Sequence, residues 1–263
     1  VDRQITFEDY LNHIKGNVSI GVEPRDDSSK CRFAMLDFDD HKKDKENIVP
    51  WTKEKYKKLI DKINFLGLPL SVFKSNSGGL HAHLFFDDWY PAKDVRHILK
   101  KFAYALGCAR DVEVFPKQNE LKPSDNGNFI NLPYHNGNTR VLLDFEGKEL
   151  NTSDGVLYAS KRVTHESNWS KFKLLDHDKS TGRNDRTFAA TTFFKKHYKD
   201  WENKTVEYNK LFNNPPLEER ELFQTVIKSN EKKEYFDTEL EEEPPTELVG
   251  HDISEYRNLD IKQ

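Results

Sequence analysis

Asp37 and Asp39 stand one residue apart at the end of the apolar run Phe33-Ala34-Met35-Leu36. In a strand, residues two apart project from the same face, so the two carboxylates would lie side by side and repel unless a positive group sat between them. A divalent cation is such a group. The competing reading ends the strand at Leu36 and makes residues 37–40 a solvated turn. A second pair of acids repeats the spacing in Asp111-Val112-Glu113-Val114-Phe115. If Asp37, Asp39 and Glu113 converge, they make the oxygen-rich site that Mg²⁺ or Mn²⁺ prefers, with Asp111 the rival for the third position because it shares Glu113's strand face. Two such ions, roughly 3.5–4 Å apart, activate a hydroxyl nucleophile and neutralise a leaving pyrophosphate.

Between these acids lies Lys74-Ser75-Asn76-Ser77-Gly78-Gly79-Leu80-His81-Ala82-His83, which reads as strand, small polar loop, strand. Serine and glycine let backbone amides approach a ligand closely, and a histidine just beyond such a loop suits a phosphate. The plain alternative is a hairpin whose serines satisfy the turn and whose His81 is a surface residue.

The elements that must position these residues are readable from periodicity. Strand patterns cover residues 18–22, 32–38, 70–74, 80–86, 111–115, 129–132 and 140–145. A helix over 52–66 follows from Tyr56, Leu59, Ile60, Ile63 and Leu66, with Thr52 as cap and Gly67 as stop. Val95, Ile98, Leu99, Phe102 and Leu106 mark a second helix that Gly107 ends. Strands outnumber helices, which predicts an α+β fold with a mixed or antiparallel sheet covered on one side by helices. After Trp169 the texture changes to three short helical segments between about Thr181 and Phe236, with the boundary between Lys161 and Ser180. The predicted organisation is a catalytic domain over 1–168, a helical domain over 169–236 and an acidic linker or tail over 237–263.

The 263 residues carry a net charge of −4, which looks unsuited to a polyanionic partner. Nine acids and two bases from Asp237 onward leave −7 in the tail, so residues 1–236 carry +3 and permit one. The two cysteines, Cys31 and Cys108, have no paired spacing, which argues against disulfides and a cysteine zinc site. No apolar run is long enough to span a bilayer, Val1-Asp2-Arg3-Gln4 has no signal-peptide core, and the expected location is the cytoplasm. The missing initiator Met is what a trimmed chain would show.

Taken in order, four motifs resemble the archaeo-eukaryotic primase superfamily: the aspartate pair after an apolar strand, Ser-x-Ser-Gly-Gly-x-His, Glu113-Val114-Phe115-Pro116-Lys117-Gln118, and Gly127-Asn128-Phe129-Ile130-Asn131-Leu132-Pro133. They are most similar to the primase-polymerases of phages, plasmids and mobile elements, and span residues 21–133. The resemblance implies metal ligands at Asp37, Asp39 and Glu113, and a triphosphate contact at His81. Ser75, Ser77 and Lys117 fall at positions suited to phosphates, and Gln118 and Asn131 would complete the nucleotide pocket. It implies template-directed nucleotidyl transfer on single-stranded DNA from nucleoside triphosphates, with a two-metal Mg²⁺ or Mn²⁺ site. The segment from Gly182-Arg183-Asn184-Asp185-Arg186 to Tyr235-Phe236 resembles the helical primase carboxy-terminal domain, with Arg183, Arg186, Lys195 and Lys196 as its phosphate contacts and a replicative helicase as the partner beyond the tail.

Two other readings are open. His81-Ala82-His83 can ligate one metal, as in HUH-type replication-initiation nickases, whose nucleophile would be Tyr158 in Tyr158-Ala159-Ser160-Lys161; but Gly155-Val156-Leu157 before it reads as a strand, where the nickase needs a helix. A non-catalytic single-stranded nucleic-acid-binding module is the other, and clustered carboxylates argue against it.

Overall fold

Alternation of side chains along Lys30–Asp37 puts Ala34 and Leu36 on one face and Phe33, Met35 and Asp37 on the other, and this division organises the molecule. The computed structural model describes residues 5–38, 51–108, 112–120, 127–171 and 182–231. In chain order the elements are α1 (Phe7–Ile14), β1 (Gly21–Val22), β2 (Lys30–Asp37), α2 (Lys53–Phe65), β3 (Leu70–Lys74), β4 (Leu80–Pro91), α3 (Ala92–Ala105), β5 (Glu113–Phe115), β6 (Ile130–Asn131), β7 (Leu142–Leu143) and α4 (Thr152–Ser160). A 3₁₀ segment (Glu166–Lys171), α5 (Arg183–His197) and α6 (Trp201–Phe212) follow. The last run is α7 (Glu219–Glu221), a π-helical stretch (Leu222–Ile227) and α8 (Lys228–Glu231).

β5, β2, β4, β3 and β7 form an antiparallel sheet in that order, and β1 pairs antiparallel with β6 as a separate ribbon. The fold is α+β. One sheet face, carrying Ala34, Leu36, Val72, Ala82 and Leu84, is buried against Ile60 and Ile63 of α2 and Leu99 and Phe102 of α3. The opposite face carries the polar residues, and its apolar members pack with Ile130 of the ribbon and with Tyr134. Helices α2 and α3 form where the spacing places them. Thr52 Oγ1 accepts from the Lys55 amide at 3.3 Å, and Gly67 and Gly107 follow the helix ends at φ 61° and 73°, where side chains are disfavoured.

Three differences from the sequence expectations have physical causes. The capping box Thr6/Asp9 starts α1, which periodicity missed because the helix is only 8 residues long. Its buried His13 accepts the Ile20 amide at Nδ1 and donates from Nε2 to the Pro133 carbonyl, tying α1 to the ribbon. β4 runs to Pro91 rather than ending near Phe86, because a bulge between Cys31 and Phe33 lets β2 continue pairing with it. Finally, Gly155-Val156-Leu157 is not a strand. It lies in α4, capped by Asn151, whose side-chain oxygen accepts the Asp154 amide at 2.9 Å. Gly155 is needed there because a Cβ would stand 1.8 Å from the Tyr134 hydroxyl.

Among the described residues no helix is long and apolar enough to cross a membrane. The helical part from α5 onward joins the rest through Phe65 at the end of α2, whose ring meets those of Phe194, Tyr208 and Phe212 at 5.7–6.5 Å. Its interior is partly polar: Thr187, Thr191 and Thr205 are buried and return their hydroxyls to carbonyls four residues back. Asn209 bonds both the N–H and the C=O of Leu217 and accepts from Asn213. Replacing Asn209 by Ala strands those buried groups, so Asn209→Ala should lower stability by about 3 kcal/mol in urea unfolding. A loss well under ~1 kcal/mol would show that the backbone groups find other partners.

Candidate active site

Asp37 ends β2 between two neighbours whose register is fixed. Across β2–β5 it faces Glu113, and across β2–β4 it faces His81. Directly paired residues of antiparallel strands project to the same side, so all three side chains share the polar face. Asp37 is 7% exposed, and His81 Nε2 lies 3.8 Å from its Oδ1. Glu113 is more open and pairs with Lys117 at 2.8 Å. Asp39 and Asp111 lie outside the described residues, and among the described residues no group of three His, Cys, Asp or Glu side chains is arranged as a metal site.

The Ser75–Gly79 loop is built by its own hydrogen bonds. Ser75 Oγ accepts the amides of Ser77 and Gly79, both at 3.2 Å, and shares a 2.6 Å bond with Ser77 Oγ. Tyr56 from α2 donates its hydroxyl to the carbonyls of Gly78 and Gly79, drawing them toward the core. Ser75 is therefore the buried organiser of the turn, while Asn76 and Ser77 line a cavity of about 320 Å³ together with Asp37, His81 and Asn131. The turn of the plain hairpin reading is present: Ser75 satisfies it, and Ser77 bonds to Ser75 while lining the cavity.

Phe129 and Arg140, to which the sequence assigned no role, line the same cavity. Arg140 adopts φ 58°, a left-handed conformation that costs a non-glycine residue about 1–3 kcal/mol. The next residue, Val141, accepts the Lys74 amide at 2.9 Å, which anchors Arg140 beside the base of the serine loop. A lone arginine before a two-residue strand carries no sequence signal; the one signal is strain, which sequence does not display. Lys117 and Glu113 instead line a second cavity of about 440 Å³ with Arg96, Lys100 and Tyr104, between β5 and α3. Gln118 accepts a 3.4 Å bond from Asn128.

A family model described as "TOTE conflict system, Archaeo-Eukaryotic Primase domain" matches residues 3–167. The chain belongs to this primase family. No curated protein matches it. The match covers the sheet, its two packing helices and every residue of the cavity, and stops before α5. A primase-like nucleotidyltransferase family is thus the frame for the acids on the polar face.

Within that primase domain Tyr158 sits on a helix, not a strand, which removes one objection to it as a nickase nucleophile. Its hydroxyl nevertheless accepts from Arg162 at 2.7 Å, and its ring packs on the cluster around Phe73 and Tyr134. Beyond the primase domain, bases expected to contact phosphates are engaged internally. Arg183 donates to the Pro215 and Pro216 carbonyls, Arg186 to Asn213, and Lys195 to the Asn230 and Glu231 carbonyls. Lys196 is exposed.

His83, two residues past His81, is buried between Phe73 and Phe85, and its Nε2 has no hydrogen-bond partner among the described residues. Burial, and secondarily the charge of His81, push it down to about 3 from its ordinary 6.5. The native state therefore refuses a proton that the unfolded chain accepts below pH 6.5, so this contribution to stability is present above pH 6.5 and is lost as pH falls toward 3. Unfolding free energies of the unaltered chain should drop faster between pH 7 and 5 than those of His83→Leu, by up to ~1.4 kcal/mol per pH unit. Parallel curves would mean that His83 takes up its proton over the same pH range in the native and unfolded states.

Proposed function

We propose that the chain is a primase-polymerase: it joins nucleoside triphosphates on a single-stranded DNA template, starting primers and extending them. The observation that carries this reading is the register that sets Asp37 between Glu113 and His81 beside a loop and an arginine suited to phosphates. The donor set fits a hard cation. Two carboxylates at directly facing positions repel, and oxygen ligands are what Mg²⁺ or Mn²⁺ takes. Asp37 and Glu113, with Asp39, would hold it, and the bound ion would lower the charge on reacting phosphates and favour the ionised hydroxyl.

The chain's own residues do the positioning. Ser77, His81 and Arg140 hold the triphosphate, and Asn131 orients the nucleoside. A 3′-oxygen attacks the α-phosphorus in line as the bond to pyrophosphate breaks; the hydroxyl proton is given up to solvent. The template's phosphates run along the β5–α3 groove, where Arg96, Lys100 and Lys117 supply charge and the half-exposed Tyr104 an aromatic surface. Residues from α5 onward act as the helical primase carboxy-terminal domain, and a helicase is the proposed partner in replication.

The test is incorporation of labelled nucleotides on unprimed single-stranded DNA with Mg²⁺ or Mn²⁺. Asp37→Asn should lower the rate about 100-fold or more while the thermal unfolding profile stays cooperative, because an ion supplies several kcal/mol and each ~1.4 kcal/mol is tenfold. A variant that retains the rate removes Asp37 from the chemistry, and extension of a supplied primer without initiation makes the chain a polymerase alone.

A further inference from the structure

Polar groups of the cavity account for the phosphates of a nucleotide, and leave its base without a surface. Phe129 offers one. Its side chain is among the most exposed large apolar groups of the molecule, at 66%, and it lines the same cavity as Asp37, His81 and Arg140. An isolated exposed Phe is ordinary on a protein surface. This one is held in place from two sides. Beneath it lies Gly21 of β1, where a Cβ would stand 2.4 Å from the ring's Cδ2 and 3.1 Å from its Cγ, so the ring rests against bare backbone. Beside it, Ile130 is buried with Met35 and Phe115, and β6 is locked to β1 by the pairs Gly21↔Asn131 and Val22↔Ile130. The ring is thus seated on a strand pair, with most of its surface open. An aromatic side chain fixed in this way, next to groups suited to a triphosphate, is a stacking surface for a planar base.

We propose that Phe129, seated on Gly21, is the platform on which the base of the incoming nucleoside triphosphate stacks. This rests on the reading of the cavity as a nucleotide site. Every base has a π-face, so the platform orders the nucleotide without choosing among the four bases, leaving that choice to the template.

Binding of each of the four deoxynucleoside triphosphates, and of inorganic tripolyphosphate, should be measured with Mn²⁺ and no template. Phe129→Ala should raise Kd for all four nucleotides by roughly 5- to 150-fold and leave tripolyphosphate unchanged. Gly21→Ala, which keeps the aromatic ring but displaces it, should do the same in direction, and Phe129→Tyr should restore binding. Nucleotide affinity unchanged within about twofold in Phe129→Ala, or tripolyphosphate binding that falls in step with it, would overturn the platform while leaving the nucleotide site standing. An unaltered chain that binds neither probe would overturn the nucleotide reading, and the platform with it.

Discussion

Pairing of one strand end with both of its neighbours is the constraint on which everything else depends. β2 is central enough to be hydrogen-bonded on each side, and its register sets Asp37 opposite Glu113 on one flank and His81 on the other. A slip of one residue would turn Asp37 into the helix-packed core and bring Leu36 to the polar face. That slip is prevented by the other face, where Ala34, Leu36, Ala82 and Leu84 are fully buried. The hydrophobic core therefore acts on the site indirectly: it fixes which residues of a strand can meet across the sheet. Like charges facing each other carry a cost, which Lys117 offsets in part at Glu113 and which a bound cation would reverse.

The periphery of the site depends on smaller devices with the same logic. Tyr56 reaches from α2 to the glycine carbonyls, so the helix that covers the core also sets the serine loop. His13 does the equivalent for the ribbon, bonding the backbone on both sides of it. Arg140 is held in a left-handed conformation by the chain around it, in the manner of strained residues at functional sites. Each places a polar or aromatic group at the cavity from an element whose own stability comes from elsewhere.

Much of this was legible in the sequence, and the limits are physical. Strand β3 and helices α2 and α3 follow from apolar spacing with recognisable caps and stops, and the order of the acidic and histidine motifs led to the family. Convergence was less legible. Periodicity says which face Asp37 occupies on its own strand, whereas the pairing that brings it to Glu113 is a long-range event. The two serines of one motif differ in place: Ser75 is buried and accepts the turn's amides, whereas Ser77 lines the cavity. In α4, Gly155 and two apolar neighbours resemble a strand; the Asn151 cap and the close approach of Tyr134 decide otherwise. The bases of α5 look available in sequence, yet carbonyls at Pro215, Pro216, Asn230 and Glu231 take up Arg183 and Lys195, since helix ends and turns need donors.

Mn²⁺ binding to the chain and its Asp37→Asn, Glu113→Gln and doubly substituted variants, followed by the electron paramagnetic resonance of the free ion, bears most directly on a cation site assembled by strand register. Two carboxylates sharing an ion should each weaken binding by about tenfold or more when replaced, and the double variant should lose less than the sum of the two, as coupled neighbours do. Affinity in the double variant equal to that of the unaltered chain would contradict a shared site between β2 and β5.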